Sequence, residues 1–543
     1  MKPGLRGGAI SSWSTGLLLM LPIVAIFYIA IGDTDELFTH LMNTVLPITV
    51  GNTVLLVAGV VLLSLILGLP SAWLMAMCRI PGAVLLEWIL ILPLAFPGYI
   101  VGYLYTDLLD YAGPVQSGLR RWFGWQQPQD YWFPDIRTLG GACVVLSLVL
   151  YPYVYLLARM AFIEQSVTLL QSARLLKASP WDSFRRVSLP LARPAIAVAL
   201  SLTAMEALGD FGTVSYFAVQ TLTTAVYDTW LGYSSLTAAA KISALMLVAI
   251  FLLISGERYS RRRQKLFQKD LRRPERLRYT LQGWKKWAAL FWCWALVLVA
   301  FALPMGLLAG YAIEYFRESW TGEFRDYTLN SLLVSLSAAL LAVAVALITN
   351  FYRRLVSSRG SALPMRLASL GYAVPGTVLA IGVLLCLTSL DHWLNDMTRQ
   401  LGWGRPGLFF SGSLIAMVFA FVVRFSAIAV GSVESGLGKI SPSLDMASRS
   451  LGDGATAMLR RVHLPLIRRG CLIAGLLVFI ESMKELNAAL LLRPFDFETL
   501  ATFVYNFALD ERLELAALPA ILLVLVGMIP LVLVNRALEQ QHL

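Results

Sequence analysis

QSARLLKASPWDSFRRVSLPL, residues 171 to 191, is matched farther along the chain by MASRSLGDGATAMLRRVHLPL, residues 446 to 466. Each stretch reads as a helix, a break and a second helix. In the first copy Ser179-Pro180-Trp181-Asp182 supplies the break, with Ser179 as N-cap, Pro180 at the first helical position and an acid at the third. In the second copy Gly452 is the expected C-terminal stop and Asp453 the expected cap. Both second helices are expected to end at a Leu-Pro, Leu189-Pro190 and Leu464-Pro465. Pro190 lies thirteen positions after Lys177, and Pro465 thirteen positions after Gly452. Adjacent arginines, Arg185-Arg186 and Arg460-Arg461, lie beside the apolar Phe184 and Leu459. An ordinary connecting loop has no reason to build the same helix-turn-helix twice.

Further landmarks recur around this pair. RRVSLPL at 185 to 191 returns as RRVHLPL at 460 to 466, and Glu206 returns as Glu481, both at an offset of 275. Pro97-Gly98 returns as Pro375-Gly376, Asn52 as Asn330 and Tyr227 as Tyr505, all at an offset of 278. Landmarks in one order at a nearly constant offset mean an internal duplication. The expected division is a first half over 1–256, a linker over 257–286 and a second half over 287–543, with the paired loops spanning 165–191 and 440–466.

Composition fixes the environment of this duplicated chain. Its 543 residues are 58% hydrophobic and only 14% charged, with a mean hydropathy of +0.69, far from the balance of a water-soluble domain. Soluble enzymes and nucleic-acid-binding proteins are excluded. Apolar runs of membrane-spanning length predict twelve helices, at about 15–31, 52–77, 83–106, 139–158, 194–218, 237–255, 287–313, 329–349, 367–390, 407–423, 470–492 and 515–535. The fold class is therefore an all-α integral membrane protein with two six-helix repeats. Six spans per repeat is even, so both repeats insert the same way up, related by an axis along the membrane normal, with a pathway expected between them.

The basic residues orient the predicted spans. Of the 44 Lys and Arg, 33 fall on the N-terminus, the C-terminus and the loops of one face, while only 9 of 33 acids do. Basic segments resist translocation, so that face, with both termini, is expected in the cytoplasm. The linker 257–286 holds twelve basic and three acidic residues and reads as a solvated, topology-fixing segment, with a site for anionic lipid or nucleic acid as the alternative. The N-terminal basic flank and apolar run resemble a signal peptide, but no small-x-small cleavage site follows, so an uncleaved first helix is expected. The five cysteines are too dispersed for a disulfide framework or metal site.

Pro97-Gly98 and Pro375-Gly376 fall inside apolar runs, where they predict either a bent helix lining a pathway or a packing kink. Glu206, Asp210, Glu481 and Glu485 place carboxylates in or near spans 5 and 11, and ionisable groups there usually mark a route. The competing reading is internal pairing, since Lys484 lies at i,i+3 from Glu481. Gly438-Lys439 is no phosphate-binding loop, because Val433 stands where a Gly is required and Ile440 where a Ser or Thr is required. His463 has no companions at metal-ligand spacing and is expected at the surface.

At the paired loops the sequence resembles the permease subunits of binding-protein-dependent ABC importers, in the form where two six-span permeases are fused. Their signature runs Glu-Ala-Ala, three residues, Gly, about nine residues, Ile-x-Leu-Pro. Here the Glu position holds Gln171 and Met446, and the Gly persists only as Gly452, with Lys177 in its place. The resemblance implies that each loop couples to a cytoplasmic ATPase, so two ATPase copies bind ATP and Mg. It also implies that this chain carries no cofactor, and that a periplasmic binding protein delivers substrate across a bacterial inner membrane. MEALGDFGTVSYFAVQTLTTAVYDTW (205 to 230) and ESMKELNAALLLRPFDFETLATFVY (481 to 505) look most like iron(III) permeases. Thiamine, polyamine, phosphonate and sulfate remain alternatives. Iron(III) is a hard cation suited to the oxygen ligands that the four carboxylates offer. An ion-coupled secondary transporter is the rival class, set apart by having no ATPase for the loops to meet. A membrane-embedded enzyme has no nucleophile-base pair or metal cluster to support it.

Overall fold

The computed structural model describes residues 3–32, 36–165, 171, 175–177, 179–261, 278–356, 358 and 360–540. Among these, eleven helices are long and apolar enough to cross a membrane, and a bent pair, Ala83–Ala95 with Gly98–Phe123, makes a twelfth crossing if taken as one. They fall six to each half. The first half holds Gly7–Ile31, Leu46–Met77, the bent pair, Leu139–Ile163, Pro180–Gly209 and Leu236–Leu253. The second holds Trp284–Glu314, Gly322–Leu355, Gly376–Gln400, Leu414–Gly438, Ala455–Lys484 and Leu513–Val532. The fifth and eleventh spans begin well before the expected 194 and 470, because the segments after the loop breaks are already part of them. Most of the basic linker, residues 262–277, lies outside the described residues.

The chain packs as two compact units, one of Met1–Leu46, Leu222–Leu247 and Trp320–Asn506, the other of Pro47–Thr221, Val248–Ser319 and Phe507–Leu543. Each unit takes segments from both sequence halves, so packing cuts across the linear division at the linker.

In the unit that contains Trp320–Asn506, the helix Gly322–Leu355 shows how residue size sorts its faces. Leu329, Leu333, Leu336 and Leu340 are exposed along one stripe, as suits contact with lipid, while Val334, Ala338, Ala342 and Ala346 are buried. The buried stripe packs against Leu414–Gly438 and Leu464–Lys484. Small residues serve there because lipid gives helices no hydrophobic reason to associate, so close backbone approach and dispersion must do it. The N-terminal helix Pro3–Ile31 lies on Leu363–Ala368 and Gly376–Gln400. A Cβ on Gly382 would stand 2.5 Å from the Pro22 carbonyl oxygen, so only glycine allows that crossing.

In the unit that contains Pro47–Thr221, Leu46–Met77 meets Leu139–Ile163 just as closely. A Cβ on Gly68 would lie 2.8 Å from the Tyr151 carbonyl oxygen. Thr138 caps Leu139–Ile163 by accepting from the Gly141 N–H at 3.1 Å. Arg159 and Arg278 both pair with Glu87, which ties the described end of the linker to this unit. The five cysteines are free, and three of them, Cys78, Cys143 and Cys293, are buried.

The duplication is visible in hydrogen bonds. The Asn52 side-chain amide donates to the Gln220 carbonyl at 3.0 Å, and Asn330 donates to the Glu498 carbonyl at 3.1 Å, each across 168 residues. Asn, Thr or Ser in a span is costly unless such a partner is found, so both copies keep it.

Candidate functional site

Where both are described the paired loops are built alike; residues 172–174 and 178 of the first lie outside the described residues. Ser179 caps its helix by accepting from the Asp182 N–H at 3.1 Å, with Pro180 next in line. Gly452 has a φ of 85° and ends the helix Pro442–Ser450, with the Asp453 N–H donating back to the Ser448 carbonyl. Lys177 takes the same left-handed conformation, φ 58°, at the matching position. Here the backbone path persists where the glycine does not, at a cost of about 1–2 kcal/mol for a side chain in that region. Asp453, expected as a cap, is not one. The following helix Ala455–Met458 has Gly454 at its N-cap, while Asp453 accepts from Ser448 at 2.9 Å and pairs with Arg461 at 3.1 Å.

The helices after the breaks do not end at Leu-Pro. Each passes through one π turn, Phe184–Ser188 or Leu459–His463, and continues as the long helix Leu189–Gly209 or Leu464–Lys484. The Leu189 N–H donates to the Phe184 carbonyl and the Leu464 N–H to the Leu459 carbonyl. Proline lacks the N–H that an α turn needs and its ring presses on the carbonyl four residues back. A wide turn relieves that contact without breaking the helix. Leu303-Pro304 follows a third π turn, Leu298–Ala302, which shows the local cause at work.

Exposure separates the loop residues. Phe184 is half-buried and packs on Trp73 at a ring-centroid distance of 4.9 Å, as well as on Phe162 and Trp181. Leu459 is also half-buried, whereas Arg185, Arg186, Arg460, Arg461, Leu464 and Pro465 are exposed, and Leu189 and Pro190 are half-buried. Apolar side chains left in the open include Trp181 (65% exposed), Leu175 and Leu176 (84% each), Met446 (63%) and Leu451 (85%). Leu176 and Leu451 are equivalent across the offset and immediately precede the two left-handed residues. Their signal in the sequence was only that matching position, since any Leu in an amphipathic loop helix reads first as core.

His463, expected at the surface, is fully buried. Its Nε2 lies 2.7 Å from Asp445 Oδ1, and its ring meets the edge of Phe351. Burial works to raise the Asp445 carboxyl's pKa, but hydrogen bonds from Arg354 and His463 outweigh it and hold it below the usual carboxylate value.

The Pro-Gly pairs also differ from expectation. Pro97 and Pro375 are extended N-cap residues, and Gly98 and Gly376 open the helices Gly98–Leu109 and Gly376–Gln400. They therefore stand at helix starts, and the bent pair before and after Pro97 turns through 95°. Hydropathy runs unbroken across such a start, which is why it read as a helix interior.

At these starts the structure brings together residues that the sequence offered separately. A Cβ on Gly98 would lie 2.5 Å from Thr213 Oγ1 and 3.6 Å from Asp210 Oδ2, and one on Gly376 would lie 2.4 Å from Glu485 Oε1 and 2.5 Å from Arg424 Nη1. Asp210 and Glu485 each follow the end of a long helix and cap the next short one. Asp210 accepts from the Thr213 and Val214 N–H groups at 3.0 and 3.1 Å. Glu485 accepts from the Ala488 N–H at 3.0 Å and from Arg424 at 3.3 Å. Leu146 sits against Gly98 where Arg424 sits against Gly376. Arg424 falls just beyond the apolar run that stops at 423, yet it lies within the helix Leu414–Gly438. Glu206 and Glu481, one turn earlier on the long helices, are half-exposed, and Glu481 pairs with Lys484 at 3.5 Å. No group of three His, Cys, Asp or Glu suited to a metal ion occurs among the described residues.

Two six-span repeats, each with a capped loop helix and a helix restarted at Pro-Gly, define a multi-pass membrane permease. Residues 60–265 match the model of the binding-protein-dependent transport system inner membrane component. The Fe(3+)-transport system permease protein FbpB 2 of Haemophilus influenzae is 25% identical over 530 residues, covering 96% of each chain. The molybdenum transport system permease protein ModB of Escherichia coli is 32% identical over 203 residues, 36% of this chain and 85% of its own length. The ferric transport system permease protein FbpB of Actinobacillus pleuropneumoniae is 22% identical over 464 residues, covering 81% of this chain and 63% of the relative. The chain belongs to the family of binding-protein-dependent transport system inner membrane components, as a two-repeat permease of the ABC transporter class. It is a transport subunit.

Proposed function

We propose that the chain forms the translocation route of an ATP-driven importer of iron(III). A periplasmic binding protein delivers the ion, and two copies of a cytoplasmic ATPase, which hold the ATP and Mg, dock on the loops at 171–191 and 446–466. The single observation behind iron(III) is the likeness to an Fe(3+) permease along 96% of both chains. What supports docking is Leu176, Trp181 and Leu451, apolar side chains standing in the open on basic loops. Apolar anchors of this kind dominate interfaces, while rim charges such as Arg186 and Arg460 steer the encounter. With both loops facing the cytoplasm, the termini lie there too.

Within each repeat the carboxylates divide their work. Asp210 and Glu485 hold the restarted helices in place, whereas the half-exposed Glu206 and Glu481 are the oxygen donors offered to a passing hard cation. Substrate moves as the route opens to one side and then to the other, driven by ATPase closure at the loops.

Molybdate is the second reading, favoured by relatives over 30% identical that match one repeat's worth of the chain. Co-purification of the permease with its ATPase and binding protein, followed by metal analysis of the binding protein, tests the choice. Iron in the binding protein supports the first reading, and molybdenum replaces it with the second.

A further inference from the structure

Among the described residues, the second loop is fastened in a way the first is not. Arg354 lies in the last turn of Gly322–Leu355 and uses its whole guanidinium on the end of Leu414–Gly438 and the loop that follows it. Its Nε and Nη2 grip the two oxygens of Asp445 at 2.8 and 3.1 Å. Its Nη1 donates to the Leu437 carbonyl at 2.6 Å and its Nη2 also to the Ile440 carbonyl at 3.0 Å. His463, at the head of Leu464–Lys484, closes on the same Asp445 carboxylate at 2.7 Å. Arg354 and Asp445 are about six-sevenths buried at their side chains, 15% and 14% exposed. One guanidinium thus joins the ends of three long helices to the loop helix Pro442–Ser450.

A planar fork on a carboxylate fixes direction as well as distance, which a lysine ammonium cannot do. Partial burial makes the arrangement stiff, since losing one partner strands a desolvated charge. At the 275-residue offset the first repeat has Leu170 for Asp445 and Ser188 for His463. The tie seen there is neutral: Gln165 Nε2 donates to the Ser188 carbonyl at 2.8 Å.

We propose that Arg354 is a positioning residue for energy coupling, making the second loop move as one body with its three helices, so that the two loops transmit ATPase motion unequally. This rests on the reading of the loops as ATPase docking sites. It assigns the stiff stroke to the second loop and a compliant one to the first.

The test uses the whole transporter in proteoliposomes, with permease, ATPase and binding protein, reading ATPase retention on the purified permease and substrate imported per ATP hydrolysed. If the unmodified permease retains no ATPase, the docking reading fails before this proposal is reached. With retention intact, Arg354→Lys, which keeps the charge and loses the fork, is expected to cut import per ATP by about fivefold or more, the scale of an ordinary coupling free energy. Gln165→Ala is expected to change the ratio by less than about twofold, below that scale. Asp445→Asn, which keeps one acceptor oxygen but loses the charge and the second acceptor, repeats the measurement should Arg354→Lys fail to assemble. An unchanged ratio in the assembled variant, or equal losses from the two loops, overturns the proposal.

Discussion

The Asn330 side-chain amide reaches the Glu498 carbonyl at 3.1 Å, the same bond, over the same 168 residues, that Asn52 makes to Gln220. Each bond ties an amide on a long helix to a backbone carbonyl far along the chain. Asn52→Ala and Asn330→Ala should each destabilise the protein by about 0.5–1.5 kcal/mol. Thermal unfolding in detergent measures this, and Asn43→Ala, whose amide bonds only its own helix, should shift the midpoint far less.

Gly376 should tolerate no side chain. Alanine there would press on Glu485, Arg424 and the Cβ of Asn487, at 2.4, 2.5 and 2.9 Å. Gly376→Ala is expected to abolish assembly or uptake, while Gly431→Ala, with nothing within 4 Å, should behave as wild type. Size-exclusion profiles of the two variants decide the matter.

The carboxylates should separate by role. Glu485→Gln strands Arg424 in a mostly buried site and should cost about 3 kcal/mol of stability. Glu481→Gln should lower uptake while leaving assembly and basal ATP hydrolysis intact. Equal loss of folding in both would show that Glu481 is only an internal pairing partner of Lys484.

How much of this was legible in the sequence depended on whether the signal was local. Ser179-Pro180 and Gly452 were readable because capping and left-handed geometry are set by one or two residues. The twelve spans and their duplication were readable because apolar length and spacing survive any packing. The Leu-Pro pairs misled, since proline signals a stop and nothing local announces a π turn that absorbs it. Pro97 and Pro375 misled for a related reason: hydropathy cannot distinguish a helix interior from a helix restarted in lipid. Arg354, Asp445 and His463 come from three separate segments, and Arg424 meets Glu485 across 61 residues. No spacing rule joins them.

Lys177 offers a gain of stability. Lys177→Gly should remove the left-handed penalty and stabilise the first loop by about 1 kcal/mol. Gly452→Ala should cost a similar amount in the second, where φ is 85°. Opposite shifts in protease resistance of the two loops would show it.

Asp445 sets an acid limit. Its folded pKa lies below its unfolded value, so its contribution is fully present above the ordinary carboxylate range and is lost as pH falls through the depressed folded value. Loss of stability on acidification should therefore be less steep in Asp445→Asn than in the wild type.

ATP-driven iron(III) uptake through the assembled permease is the most direct measurement. Proteoliposomes holding the permease with its ATPase are loaded with ATP or left without it, and given the binding protein and radioactive iron(III) outside. Accumulation only in the ATP-loaded vesicles, lost in Leu176→Asp and Leu451→Asp with release of the ATPase, is the expected result. Accumulation without ATP, driven by an imposed proton or sodium gradient and indifferent to both substitutions, would contradict an ATPase-coupled permease and return the chain to the ion-coupled class.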